Sequence, residues 1–308
     1  MRGVVACVIV QVAVVGTLAA GPAAQALAAR SVPGRAGASS SAATGNDLSF
    51  PQCGAAFPSR PAFGIVGVTG GLANDLNPCL GPSSSYLSSE LYWAVAAPAG
   101  GTSQPRASLY VNTADPGNLY DGTPIADWPT SGSTPDGTCV TTSVSTSTGT
   151  RIVGEDSPAC AWQYGYNMAV QDVSWVASAA SAIDTQSPPV RVSGAARSYP
   201  WWLDVEATST WQGGTVGQAM NIADLQGMIA ALRHSGASSV GAYSTALQWN
   251  MITGGTTSPP GSLSGIPDWV PGATTLPGAK SNCALASFTA GRIAITQWVG
   301  NPGNDYAC

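Results

Sequence analysis

Two carboxylic acids two residues apart, Asp204 and Glu206, lie in the segment Trp201-Trp202-Leu203-Asp204-Val205-Glu206. In an extended strand such residues project to one face while Val205 projects to the other. Paired acids on an otherwise apolar strand are costly unless a ligand or the protein satisfies them. Their repulsion raises the pKa of one member, which leaves a protonated acid beside an ionised one. Glycoside hydrolysis uses that division: one group protonates the leaving oxygen and the other stabilises or attacks the sugar cation. The same pair also has a plain structural reading, in which Asp204 accepts backbone hydrogen bonds at the strand end and Glu206 caps the next segment.

Tryptophans are frequent in the same half of the chain. Trp201, Trp202, Trp211, Trp249, Trp269 and Trp298 lie in or beside expected elements. Flat indoles suit sugar rings, although they fill cores equally well. Trp211 and Trp298, near strand ends, are the best placed for a ligand. Other chemistries find no support. The single histidine, His234, closes a helix beside Arg233, a placement that suits the helix dipole. Without a second histidine or a GxSxG elbow, a Ser-His-Asp hydrolase in its usual form is excluded. No GxGxxG or GxxxxGK[ST] motif follows a strand, so no nucleotide cofactor is expected. No CxxC spacing suggests a metal.

The elements that must hold these residues alternate. Strands are expected at 63–68, 109–112, 201–206, 239–244, 268–270 and 293–299, from short apolar runs entering Gly-rich turns. Helices are expected at 86–96, 161–183, 221–234 and 247–252, from apolar spacing. Ser-rich residues precede the first, and Ser235-Gly236 and Gly254-Gly255 end the last two. This alternation predicts a parallel sheet covered by helices, either doubly wound or a (β/α) barrel. Residues 121–156, rich in Gly, Thr, Ser and Pro, read as a long surface excursion.

The chain begins with Arg2, an apolar run from Val4 to about Ala20, and small residues around Ala26-Leu27-Ala28. This is the layout of a secretory signal peptide over 1–28. Breaks at Gly16, Gly21 and Pro22, without flanking stop-transfer charges, favour cleavage over a retained anchor, so no membrane association is expected afterwards. Residues 29–50 read as a flexible Ser/Ala/Gly linker, leaving 51–308 as one folded domain, expected as a monomer. Setting aside Cys7, six cysteines remain, an even count that in an exported chain favours disulfides. Of the 15 pairings that six cysteines allow, neighbour pairing, Cys53–Cys79, Cys139–Cys160 and Cys283–Cys308, is expected, because each pair closes a local loop rich in Gly, Pro or Ser. Charged residues make up 9% of the chain and net charge is −5. No basic stripe exists for phosphates, so nucleic acid is an improbable partner and a neutral polysaccharide a better one.

Three segments together resemble glycoside hydrolase family 25 lysozymes. Leu203-Asp204-Val205-Glu206 is similar to that family's Asp-x-Glu strand. Val240-Gly241-Ala242-Tyr243-Ser244-Thr245 with Gln248-Trp249 is similar to its next strand and helix. Thr296-Gln297-Trp298 with Asp305 is similar to its closing strand and terminal Asp. The resemblance implies a (β/α) TIM-like barrel, incomplete or irregular, that cleaves the β-1,4 bond after N-acetylmuramic acid. By the same resemblance Glu206 is the general acid/base, Asp204 orients the acetamido group or stabilises the cation, and Asp305 assists. Trp202, Trp211, Tyr243, Gln297, Trp298 and Asn112 are then the substrate-binding candidates. The family's first-strand Asp has no counterpart after Gly64-Ile65, where no carboxylate occurs before Asp75. A glycan-binding protein that reuses the barrel without cutting, or a surface protein with no ligand, therefore stays open beside the hydrolase.

Overall fold

Along the central strand of the molecule, Pro200–Asp204 (β8 in chain order), successive side chains take opposite sides. Trp201, Leu203 and Val205 join the large apolar cluster under the helices. Trp202 joins a second cluster with Phe63, Ile65, Trp269 and Ile295. A strand buried on both faces belongs inside a helix-covered sheet, and here the sheet closes on itself. The computed structural model describes residues 44–82, 89–116, 127–146, 149–255 and 263–308. The expected leader, residues 29–43 of the expected linker, the start of the helix expected from Tyr86 and part of the 121–156 excursion lie outside them.

The first three strands are β1 (Thr44–Leu48), β2 (Gly64–Gly67) and β3 (Ala107–Asn112). After two hairpins come β8, β9 (Ser239–Tyr243), β10 (Asp268–Ala273), β11 (Ile293–Trp298) and β12 (Gly303–Ala307). They form a closed barrel in the order β1-β12-β11-β10-β9-β8-β3-β2. All neighbours are parallel except β12, which is antiparallel to both β11 and β1. The barrel expected from the alternation is thus mixed in direction and closed, rather than incomplete. Its helices are α1 (Glu90–Ala96), α2 (Pro158–Asp184), α3 (Gly214–His234), α4 (Ala246–Thr253) and α5 (Leu276–Asn282). None of the described helices is long and apolar enough to cross a membrane.

Two corrections concern the ends of the barrel. The linker expected to reach residue 50 gives way at Thr44 to β1, and the strand expected first, β2, is the second. β12 was likewise unexpected. Both hidden strands are polar, Thr-Gly-Asn-Asp-Leu and Gly-Asn-Asp-Tyr-Ala, and lack the β-branched run that marks a strand. A third correction is α3, which starts at Gly214 rather than Asn221, because its first turns carry no apolar stripe. Its Gly217 and Met220 are buried while Val216 is exposed. The excursion, expected as irregular surface, pairs into two ribbons, β4 (Gly132–Thr134) with β5 (Gly137–Cys139), and β6 (Thr141–Thr146) with β7 (Gly149–Gly154).

Helices α2 and α3 approach closely because two glycines allow it. A Cβ at Gly165 would overlap the Asp224 backbone, and one at Gly227 would overlap the carbonyl of Trp162. Three disulfides join Cys53 to Cys79, Cys139 to Cys160 and Cys283 to Cys308. The last ties the end of α5 to the residue after β12, so it anchors the reversed strand. Each closes a loop of intermediate length, worth on the order of 3 kcal/mol if it acts chiefly on the unfolded chain.

Behind β2 a carboxyl is buried at the start of α1. Glu90 is fully covered; Oε2 accepts from Asn77 Nδ2 at 2.7 Å, while Oε1 meets no donor among the described residues. Burial pushes its pKa up to about 7 against the Asn77 hydrogen bond. A raised carboxyl binds its proton more tightly in the fold, so its contribution is complete below the ordinary value, 4.5, and is lost as pH rises through about 7. We expect Glu90→Gln to melt at a higher temperature than the parent above neutral pH, by on the order of 2–3 kcal/mol in stability, and the two to converge in acid. Thermal melts across that range check it.

Candidate active site

The pocket opens where the parallel strands end, the face on which barrels of this kind place their chemistry. It has a cavity volume of about 90 Å³ and is lined by Asp47, Tyr110, Asp204, Glu206, Tyr243, Trp269 and Gln297. Every one of these except Glu206 sits in a barrel strand. Glu206 follows β8 by two residues, so Asp204 and Glu206 share the inward face as the i, i+2 spacing requires.

Asp204 is 8% exposed. Asn112 on β3 donates Nδ2 to its Oδ2 at 2.7 Å, and Asn112 Oδ1 accepts from Thr69 Oγ1 at 2.8 Å. The other carboxyl oxygen, Oδ1, meets no donor among the described residues. Burial above all, then the Glu206 and Asp47 charges, raise the pKa of Asp204, with Asn112 opposing. Glu206 is less covered. Burial raises its pKa from the ordinary 4.5 and a hydrogen bond with Gln248 on α4 opposes the rise. Gln248 Oε1 also accepts from Ala207 N at 2.6 Å, and Trp211 Nε1 donates to the Glu206 carbonyl at 3.0 Å, so both fix the loop.

Opposite the pair stands a third pocket carboxyl that sequence reasoning missed. Asp47 on β1 accepts from Gln297 Nε2 at 2.9 Å, and Gln297 Oε1 in turn accepts from the Tyr243 hydroxyl at 2.9 Å. The first strand of the barrel therefore carries an acid after all. The acid was hidden by taking β2 for the first strand. β1 and β12 each contain Gly-Asn-Asp and pair in opposite directions, Gly45 with Asp305, Asn46 with Asn304 and Asp47 with Gly303. Each Asp faces the partner's glycine, and the Asp47 carboxyl occupies the space that a Cβ at Gly303 would need.

Asp305 is the diagonal neighbour of Asp47 on the inner face. It is fully buried and does not line the pocket. Oδ1 accepts from Trp269 Nε1 at 2.9 Å. Burial, then the Asp47 charge and a carboxyl–carboxyl hydrogen bond to Asp47, raise the pKa of Asp305 well above the ordinary value. Oδ2 meets no donor among the described residues, and the acid that acts on it is Asp47.

Of the six candidate substrate-binding residues, Tyr243 and Gln297 line the pocket. Asn112 touches Asp204 instead. Trp202 lies lower in the barrel, 2% exposed, edge-on to Trp269 at 6.0 Å between centroids. Trp298 follows the inward Gln297 and so projects to the outer side of β11. Trp211 packs against the helix-side core. The aromatic face of the pocket is Trp269 with Tyr243, 4.6 Å apart, and Tyr110 at 6.1 Å. Tyr110 sits two residues before Asn112 on one strand face, and that spacing was the available signal. Among the described residues no group of ligand side chains is arranged to hold a metal ion.

No family model matches the chain, and no curated protein matches it. Among solved structures the chain is similar to a muramidase from Trichobolus zukalii, with 14% identity, a TM-score of 0.44, and 86% of this chain and 93% of that one covered. It is likewise similar to the bacterial lysozyme from Streptomyces coelicolor, with 14% identity, a TM-score of 0.45, and 87% and 92% covered.

The close seat of Asp47 on Gly303 has a direct consequence. Gly303→Ala is expected to push the Asp47 carboxyl away from Gln297 and to cost about 1–3 kcal/mol by overpacking. A crystal structure and a denaturant melt of the variant check both halves, and an unmoved Asp47 contradicts the first.

Proposed function

We propose that this chain is a secreted glycoside hydrolase acting on cell-wall or related polysaccharide, with peptidoglycan-like glycan as the substrate class. The observation that carries the reading is the convergence of Asp47, Asp204 and Glu206 in one aromatic-walled pocket at the C-terminal ends of the barrel strands. The motif order around Asp204, Tyr243 and Gln297 supports it. Three disulfides suit an oxidising compartment.

In this reading Glu206 is the general acid. Its raised pKa keeps a proton available where a free carboxyl has lost it. It protonates the glycosidic oxygen, the bond from that oxygen to the anomeric carbon breaks, and Glu206 recovers a proton from the attacking water. Asp204, held at Oδ2 by Asn112, borders the pocket, where it orients an acetamido group or, once ionised, stabilises the positive charge. Asp47 adds a second acceptor across the pocket, taking the lining position that sequence had given to Asp305. Trp269, Tyr110 and Tyr243 offer apolar surface to the ring and reduce the water around the carboxyls.

Glu206→Gln is expected to lower reducing-end release from peptidoglycan on the order of 10²–10⁴-fold with a melting temperature no lower than the parent's. Activity of the parent falls on the alkaline side as Glu206 loses its proton, at a pH above the ordinary carboxyl value. Undiminished release by the variant sinks the assignment. Retention of the parent on insoluble cell wall with no release of reducing ends replaces hydrolysis with binding.

A further inference from the structure

At the mouth of the barrel three polar residues stand abreast on adjacent strands. The parallel register pairs Gly67 with Tyr110 and Asn112 with Asp204. Continued past the end of β2, it sets Thr69 beside Asn112, so Thr69, Asn112 and Asp204 form one lateral row. Thr69 is fully buried, and the backbone on either side fixes its place. Val68 N donates to the Tyr110 carbonyl at 2.8 Å and Gly70 N to the Asp75 carbonyl at 2.7 Å, while Thr69 itself bridges to Leu76.

The Thr69 hydroxyl is engaged twice by one residue. Oγ1 accepts from Asn112 N at 2.8 Å and donates its proton to Asn112 Oδ1 at 2.8 Å. The amide is left with Nδ2 turned to Asp204 Oδ2, at 2.7 Å. Turning the amide over would strip the buried hydroxyl proton of its acceptor and set Oδ1 against a carboxylate oxygen. Such a flipped amide suits only a neutral Asp204 that donates from Oδ2. With the flip blocked, a proton on Asp204 must sit on Oδ1, which has no hydrogen-bond partner among the described residues.

We propose that Thr69 is a positioning residue for Asp204: its hydroxyl locks the Asn112 amide as a donor and so favours the ionised carboxylate. The role deepens the hydrolase reading and rests on it for its use, since a charged Asp204 is what steadies a sugar cation. Other groups also act on Asp204. Burial first, then Glu206 two residues on and Asp47 on β1, raise its pKa. Tyr110 on β3 and Tyr243 on β9 share the pocket, and burial, then the acids around them, keep their hydroxyls neutral. Replacing Thr69 alters none of these groups.

The experiment is a pH titration of the Asp204 carboxyl by carbon NMR in the full chain, with the signal identified by its loss in Asp204→Asn. Thr69→Val removes the hydroxyl at nearly constant shape and frees the amide to turn. Its Asp204 midpoint is expected to move up by about one pH unit. Thr69→Ser keeps the hydroxyl, and its midpoint stays with the parent's. An unmoved midpoint in Thr69→Val overturns the proposal, and so does a shift of the same size in Thr69→Ser. If Thr69→Val does not fold, a neutron structure of the parent decides. Deuterium on Thr69 Oγ1 directed at Asn112 Oδ1 upholds the lock, and deuterium directed elsewhere ends it. Failure of the parent to release reducing ends ends the hydrolase reading alone and leaves the titration result standing.

Discussion

The barrel closes through a strand that runs backwards. Seven strands rise together, and the eighth, β12, descends between β11 and β1. Antiparallel pairing of two Gly-Asn-Asp segments sets aspartates diagonally on the inner face, and each lies across from a glycine. Everything around the mouth answers to this pairing. Gln297 and Tyr243 hold the outer side of Asp47, Trp269 supplies the one indole N–H that reaches Asp305, and the Cys283–Cys308 bond secures the reversed strand.

A second constraint follows from composition. The chain has 16 acids and 11 lysines and arginines, and among the described residues the ion pairs are Arg151 with Asp127 and Arg191 with Asp184, both at the surface. The buried acids therefore have amides, hydroxyls, indoles and one another for partners, with no buried cation among them. In a low-dielectric interior these partners stabilise a neutral carboxyl more readily than an ionised one. Stability then falls as pH rises through each raised pKa, the reverse of a fold held by depressed, salt-bridged carboxylates.

Four helices and six of the eight barrel strands were legible because their burial leaves a periodic apolar trace; α5, in which only Ala279 is buried, was not expected. Leu109 and Val111, or Trp201, Leu203 and Val205, can be read as one face of a strand without any fold in mind. Residues whose burial is polar left no such trace. In β1 only Leu48 is a buried apolar side chain, and the inward positions are Gly45 and Asp47; in β12 they are Gly303, Asp305 and the small Ala307. The eight-strand count of a closed barrel was the missing argument: six strands were apparent, so two more had to lie in the polar stretches at either end. Trp202 shows the opposite error. An aromatic beside a carboxylate suggests a ligand platform, yet its position two residues deeper on the inward face makes it core, with Gly241 clearing the space for its ring.

Depth also separates the two acids from which the site was first recognised. Asp204 is the last residue of β8, so its backbone is locked: its carbonyl accepts from Thr113 Oγ1 at 2.7 Å and from Thr113 N at 3.2 Å. Its side chain is anchored by Asn112 on the neighbouring strand β3. Glu206 has left the ladder, and what holds it comes from a helix and from its own loop, through Gln248 and Trp211. One extra step along the same face thus takes a carboxyl from the barrel wall to its rim. The wall residue keeps one oxygen fixed and one free, which suits a group that must hold position while charge develops beside it. The rim residue reaches solvent and can reload a proton after giving one away, which suits an acid that turns over. The same i, i+2 spacing that made the pair visible therefore assigns its members different work, because the strand ends between them.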